Sequence, residues 1–389
     1  MAFSKTIYLV LGLILLVRTG LFLLNTNQTV SVVAGDVTLT GMVETLPKIT
    51  GKSQQFLFQN YLVITRPFPV VEYGDRITVT GVSDTKAKIL FPQVKIIEKA
   101  KGNFVLQVVF KFKKYLINNF QTMLPEPQAG LMAGILLGEK SALEPKLKED
   151  LRNAGLTHVV AASGTNLTFL STIIMGLAIL LAGRRWGSLI AIPVIWLYAV
   201  MAGFEAAVIR AGIMVSFTYL AGFFGRETGK WRGLVLACYL MILYDPAIIT
   251  NLGFQLSVAA MSGIIAVGSK GILWETSAAQ IATLPIIITV FGRYSLLSLV
   301  ANILTLWTIP WIMSFGLIAG LLGSTPLAGA AIIPAQILLT WFVTIVTFFG
   351  SQNLMVLEAK GIDPTTTIGI YFLLISVYLY IKNYDQKRA

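Results

Sequence analysis

Beyond about residue 157 this chain is almost continuously apolar, broken only by short loops such as Gly183-Arg184-Arg185-Trp186-Gly187 and the stretch 225–233. No other feature limits the fold so strongly. Backbone placed in lipid has no water to bond, so each amide must find a partner within the protein, and an α-helix supplies that partner inside one segment. Of the 389 residues, 56% are hydrophobic and 12% charged, far more apolar surface than a soluble core of this size buries. The expected fold is a polytopic α-helical membrane protein.

Spans are expected at about 158–182, 187–203, 206–224, 233–249, 253–269, 272–291, 295–322, 327–349 and 365–382, and with an anchor at 6–24 they make about ten transmembrane helices. Stretches of this length suit a hydrocarbon layer ~30 Å thick. Pro310 lies in the middle of 295–322, so that stretch is either one broken span or two half-helices. The first segment, residues 1–26, has Lys5 in front and Arg18 near its far end. No small-residue cleavage site follows it, which favours a retained anchor over a signal peptide.

The loops at 183–187 and 225–233, Lys270 and the tail from Ile381 carry most of the basic residues between or after the spans of 157–389. Placed in the cytoplasm, they put both termini inside and residues 27–156 outside the cytoplasmic (inner) membrane. The net charge of +12 has two readings, this topology or an anionic partner.

Residues 27–100 differ in character. β-Branched and polar residues alternate, and Gly35-Asp36 and Gly74-Asp75 each read as a turn feeding a half-buried strand, with Val37, Leu39, Ile77 and Val79 facing inward. A small extracytoplasmic β domain of four or five strands is expected. Residues 101–156 read as amphipathic and surface helices. Phe104, Val105, Val108, Val109, Phe112, Leu116, Phe120 and Met123 follow helical spacing, while Lys111 and Lys114 fall at other angles. A second helix is expected to open on a capping box, Ser141 with Glu144.

Polar residues within or beside spans gather toward the outer face under this topology. His158 is the sole histidine, Ser163 and Asn166 follow it, Glu205 sits on an outer hairpin, Arg210 lies a turn and a half further on, and Gln255 flanks the next outer connection. An ionisable group facing lipid costs a few kcal/mol or more, so such groups point into the bundle or a wet cavity. The cluster therefore reads as the outer vestibule of a polar passage. A plainer reading stands beside it: small residues from Ala161 to Gly164 mark close helix packing, the hydroxyls and amides bond neighbouring backbone, and Glu205 with Arg210 form a structural ion pair.

Catalysis is disfavoured. On one helix His158 and Ser163 are ~140° apart, so they make no dyad. With one histidine and one cysteine, Cys238, a His/Cys metal cluster is not expected, and no metal, cofactor or disulfide is implied. The protein is expected not to be an enzyme.

Residues 124–170, from Leu124-Pro125-Glu126-Pro127 through His158 to Leu170, resemble the opening of the ComEC-type competence channel family. The resemblance continues in order through 204–214, Gly225-Arg226, Tyr244-Asp245-Pro246, 251–264 and 277–310, the last carrying Gln280, Pro285 and Asn302. It covers about 120–315. That family is understood to pass a single strand of transforming DNA across the cytoplasmic membrane, and its members often carry a small OB-like β domain outside.

The resemblance implies a membrane channel for single-stranded DNA (DNA uptake in natural transformation) with a path past His158, Ser163, Asn166, Glu205, Arg210, Gln255 and Asn302. Arg210 and His158 would steady phosphates, with Ser163 and Asn166 giving neutral hydrogen bonds. Asn166 stands where the family has a second histidine. An OB-like domain binds single strands by stacking and a basic groove. Here Phe56, Phe58 and Tyr61, with Lys48, Lys52, Lys111 and Lys114, are the candidates; Phe68 and Tyr73 are further aromatics of the segment. Many relatives add a C-terminal β-lactamase-like nuclease domain, which is not expected here because no histidine follows His158. The implied partners are single-stranded DNA and membrane lipids, with an outer DNA receptor, a separate nuclease and a cytoplasmic motor or single-strand-binding protein as further candidates. No P-loop is present, so the motive force is expected from another protein or an ion gradient. The alternative functions are a secondary transporter of a small solute or ion, with Glu205 and Arg210 as coupling residues, and a membrane enzyme or scaffold that handles lipid.

Overall fold

The computed structural model describes residues 35–350, apart from 46, 51–52, 85–86, 100–101, 161–162, 269–270, 296 and 324, together with parts of 12–20 and 351–378. Lys52, Ala161 and Ala162 and most of the expected anchor at 6–24 lie outside the described residues, as does the side chain of Lys48.

The alternation in the N-terminal part folds as read, into more strands than expected. β1 (Gly35–Met42), β2 (Lys48–Thr50), β3 (Ser53–Phe58), β4 (Tyr61–Thr65), β5 (Arg76–Ser83), β6 (Lys88–Leu90) and β7 (Gln93–Glu98) form one seven-stranded sheet. β2 and β6 have three residues each, too few to leave a period of two in the sequence. β5 holds β1 along one edge, Leu39 opposite Val79, and on its other edge passes from β7 to β6, so the sheet curls. Val37 and Leu39 are half-buried while Thr38 and Thr40 face solvent, the face assigned from the sequence.

The domain's core is Val43, Phe56, Phe58, Val63, Val71, Ile77, Val79 and Ile89. Gln54 lies buried at its edge, with Nε2 within hydrogen-bond distance of the carbonyls of Arg66, Pro67 and Pro69 and Oε1 accepting from the Val71 amide. One side chain thus closes the loop between β4 and β5, since each of those carbonyls left dry and unpaired costs about 1–3 kcal/mol.

Helix α1 (Phe104–Met123) starts at Asn103, whose side chain accepts from the Val105 amide. Its buried residues Val109, Lys113, Leu116, Asn119 and Phe120 share one face, whereas Phe104, Val105, Val108 and Phe112 are exposed. α2 (Gln128–Leu137) is a helix beyond the amphipathic and surface helices read in 101–156: every residue from Ala129 to Leu137 is buried, at the centre of the main core. The capping box at Ser141 is corrected. Glu144 is extended (φ −57°, ψ 138°), and α3 (Pro145–Asn153) begins with Pro at its first position. Proline pushes the residue before it out of helical geometry, so no helix starts upstream of Pro145. Ser141 donates to Glu139 instead.

The expected helix starting at His158 is two elements. α4 (Thr157–Val160) is a single turn, and α5 (Gly164–Met201) begins afresh. Within α5, Gly183 has φ 72° and ψ 169°, a geometry that side chains rarely tolerate. The chain reverses there. A Cβ built on Gly187 would sit 2.9 Å from the carbonyl carbon of Ala178, whereas nine residues of straight helix span about 13.5 Å. Residues 164–182 and 184–201 therefore lie back to back, matching the two spans expected on either side of the basic turn.

The remainder is α6 (Ala206–Phe223), α7 (Lys230–Tyr244), α8 (Leu252–Val267), α9 (Ile272–Phe291), α10 (Ser298–Leu306), α11 (Ile309–Leu322) and α12 (Pro326–Gly350). A short ladder, β8 (Arg293–Ser295) with β9 (Val356–Glu358), joins the end of α9 to the chain after α12. α10 and α11 meet at a 44° break just before Pro310, inside the stretch 295–322 read as one span or two half-helices. By length and composition, four helices among the described residues are able to cross a membrane, five if the bent pair is one span, with α5 taken as a single helix. α7, α8 and 365–374 occupy expected span positions but are shorter, at fifteen, sixteen and ten residues. Leu180 and Leu181, each 83% exposed, and Ile333 and Ile337 present apolar surface suited to lipid contact.

Candidate functional site

The start of α5 is built by a reciprocal cap. Ser163 is extended, its hydroxyl accepts from the Asn166 amide at 3.1 Å and donates to Asn166 Oδ1 at 2.9 Å, and Asn166 Nδ2 donates to the Ile135 carbonyl at 3.0 Å. Ser163 and Asn166 are thus spent on capping and on tying α5 to α2. Asn166 is buried, so both side chains have a structural task at this cap.

That cap sets Gly164 against α6. A Cβ there would lie 2.7 Å from Arg210 Nη2, so a side chain at 164 would push the guanidinium aside. Arg210 is 7% exposed, its Nε donates to Ser257 Oγ at 2.8 Å and its Nη1 approaches Met214 Sδ at 3.3 Å. It forms no ion pair among the described residues. A guanidinium has five N–H donors, and two are used. The half-buried thiol of Cys238 lies close enough to feel this charge.

Glu205 does not pair with Arg210. It pairs with Lys140 at 2.6 Å, both side chains partly exposed, which corrects the ion pair read from their spacing. His158 is exposed, and the Gly155 carbonyl is its backbone partner. Its ~140° offset from Ser163 presumed one continuous helix, and the break between Val160 and Gly164 removes that premise.

Gly155 also fixes what faces α4. A Cβ on it would meet Ser298 Cβ at 2.6 Å, so the turn before α4 packs against the buried face of α10, Ser298, Ala301, Asn302 and Thr305. Asn302 is 2% exposed and its Oδ1 has no hydrogen-bond partner among the described residues. Gln255 stands apart, donating at 2.8 Å to the Ile249 carbonyl and closing the 3-10 turn before α8. The structure thus sets Ser163 and Asn166, through Gly164, beside Arg210, adds Ser257 as the partner of Arg210, and places Glu205 and Gln255 with other partners. Nothing in the sequence singled out Ser257.

In the β domain Phe56 and Phe58 are 3% and 2% exposed and meet edge to face, so both are core and neither is open to a base. Tyr61 is half-buried; Phe68 and Phe91 are the exposed aromatics, at 77% and 61%. Lys111 is exposed, and Lys114 pairs with Glu72 at 2.8 Å, bracing α1 on the β domain.

Four or five helices long and apolar enough to cross a membrane, a β domain on their N-terminal side and a buried cation among the helices mark the class as a helical membrane protein. Residues 135–384 match the Competence protein family, and the chain belongs to it. ComE operon protein 3 of Bacillus subtilis (strain 168) is 24% identical over 273 residues, 66% of this chain and 34% of that protein. Competence protein ComA of Neisseria gonorrhoeae is 26% identical over 233 residues, 55% of this chain and 33% of its own length. The uncharacterized protein YcaI of Escherichia coli (strain K12) is 26% identical over 164 residues, 39% of this chain and 21% of that one. The chain spans about a third of the length of the first two relatives. No solved structure matches it.

Proposed function

We propose that this chain conducts single-stranded DNA across the cytoplasmic membrane during natural transformation, as a channel and not as an enzyme. The observation that carries the reading is Arg210, a buried guanidinium with no carboxylate beside it among the described residues and with donors left unfilled. Leaving a cation unpaired in a bundle costs several kcal/mol, and a mobile polyanion offsets that cost only while it passes. Names of the curated relatives point to competence, and an internal cation suits a phosphate backbone.

The proposal includes ten crossings, with both termini in the cytoplasm and the β domain outside. Supporting this orientation, Arg18 Nε approaches the Leu243 carbonyl at 3.3 Å, at the end of α7 remote from the basic turns. A strand captured by the OB-like domain would meet Phe68 and Phe91, the rings left outside the core, and Lys111. Partners of the reading are single-stranded DNA, an outer receptor, a separate nuclease and a cytoplasmic motor or single-strand-binding protein.

The test is uptake of labelled DNA into the cytoplasm of a strain whose own gene is deleted and replaced by wild type or Arg210→Ala. Internalisation should vanish in the deletion strain and in Arg210→Ala while surface-bound DNA persists in the variant. Normal internalisation in the deletion strain would remove the proposal. Equal loss of surface binding and uptake in the variant would remove Arg210 from the path.

A further inference from the structure

At the end of the bundle opposite Glu205, the reversal at Gly183 lies beside the turn at Gly225. Arg184, Arg185, Gly222, Phe223, Phe224 and Gly225 line a cleft of about 480 Å³ between the two turns. Arg185 is held in place, its guanidinium carbon 5.0 Å from the centroid of Phe223, whose ring also meets Trp186 edge-on at 5.7 Å. Neither arginine forms an ion pair among the described residues. Across the cleft the second turn adds Arg226, Lys230 and Arg232 against one acid, Glu227.

What borders this charge is apolar. Leu180 and Leu181 are each 83% exposed one turn before Gly183, and Phe224 is 69% exposed. Trp186 and Trp231, 60% and 46% exposed, stand at the same level, where indole rings sit at a membrane–water boundary. A soluble anion would use the arginines and leave this apolar track bare. A phosphodiester carrying acyl chains uses both.

We propose that this cleft binds the phosphate of an anionic phospholipid, with Arg184 and Arg185 on the headgroup and the chains lying along Leu180, Leu181 and Phe224. Basic pockets between helices at a membrane face recognise such headgroups. The site is separate from Arg210 and does not depend on what the bundle conducts. Its role is to pin two adjacent turns, the ends of α5's two arms and of α6, at the depth of the phosphates.

The test is native mass spectrometry of the full chain released from nanodiscs of equal parts phosphatidylglycerol and phosphatidylcholine. Wild type should keep phosphatidylglycerol in clear preference, and preference should fall about fivefold for each arginine lost in Arg184→Gln and Arg185→Gln. Arg226→Gln/Arg232→Gln, which changes charge outside the cleft lining, should keep most of it. Inorganic phosphate added to the nanodiscs should not displace the lipid. Equal retention of the two lipids by wild type would overturn the proposal without recourse to any variant. A fall in Arg226→Gln/Arg232→Gln as large as in Arg184→Gln and Arg185→Gln would reduce it to general surface charge, and displacement by inorganic phosphate would make the cleft a soluble-anion site; either outcome overturns it.

Discussion

Arg210 Nε lies 2.8 Å from the hydroxyl oxygen of Ser257, forty-seven residues further along the chain. The bond crosses from α6 to α8 and is the shorter of the two hydrogen bonds that this buried cation makes. It orients the guanidinium and leaves its Nη2 edge toward Gly164.

Losing that bond should misdirect the charge without removing it. Ser257→Ala is expected to lower DNA internalisation about tenfold, the scale of one hydrogen bond to a charged group, with protein level unchanged. Ser257→Thr should retain most uptake. The measurement is internalised label per cell. A wild-type rate in Ser257→Ala would show that orientation of Arg210 is immaterial.

Cys238 is the only thiol in the chain and lies near Arg210, which makes it a natural reporter. An anionic methanethiosulfonate should modify it several times faster than a cationic one of equal size, because the guanidinium field concentrates the anion. Arg210→Gln should remove the difference. Failure of both reagents to react with folded protein would indicate a dry interior and count against a conduit.

Glu205 and Lys140 are partly exposed, 34% and 48%, and such pairs contribute about 0.2–1 kcal/mol. Glu205→Gln is therefore expected to shift melting of the detergent-solubilised protein slightly and to leave uptake near wild type. Abolished uptake with intact folding would favour the coupled-transporter alternative, in which this carboxylate carries an ion.

Lys113 and Glu139 behave differently. They meet at 3.0 Å with side chains 6% and 14% exposed. Burial raises the carboxyl's pKa, but Lys113 and the Ser141 hydroxyl outweigh it, and the net direction is downward. A depressed folded pKa means stability present above the unfolded carboxylate value, ~4.3, and lost as pH falls through the folded value. Melting temperature should hold from neutral pH down to about 5 and then fall. Glu139→Gln should start lower at neutral pH, by about 3–5 kcal/mol for a buried cation left alone, and show a shallower acid limb. An unchanged acid limb would detach this pair from the acid response.

The sequence carried the local parts of this structure and missed the distant ones. Alternation placed Val37 and Leu39 on the right face, and the basic turn at 183–187 marked the reversal, because both signals live within ten residues. The capping box failed for a local reason that was also visible, the proline at 145. Partners were another matter. Lys140 finds Glu205 sixty-five residues away and Asn166 finds Ile135 thirty-one residues back, and nothing in a linear pattern ranks those partners above nearer ones. Phe56 and Phe58 show the complementary limit: a strand's two faces are separable by period, but which face closes the core depends on how the sheet curls.

The two arms of α5 act as a ruler. Since the chain doubles back at Gly183, the polar cap at Ser163 and the first turns of α6 reach the same height only while the arms have matching lengths. Deleting one residue from 184–201 turns everything downstream by about 100° and lowers it by about 1.5 Å. Arg210 would then swing away from Gly164 and meet hydrocarbon. Point changes along the outward side of these arms are cheap, whereas a change of length is not, so insertions in this stretch should be tolerated only in the turn itself.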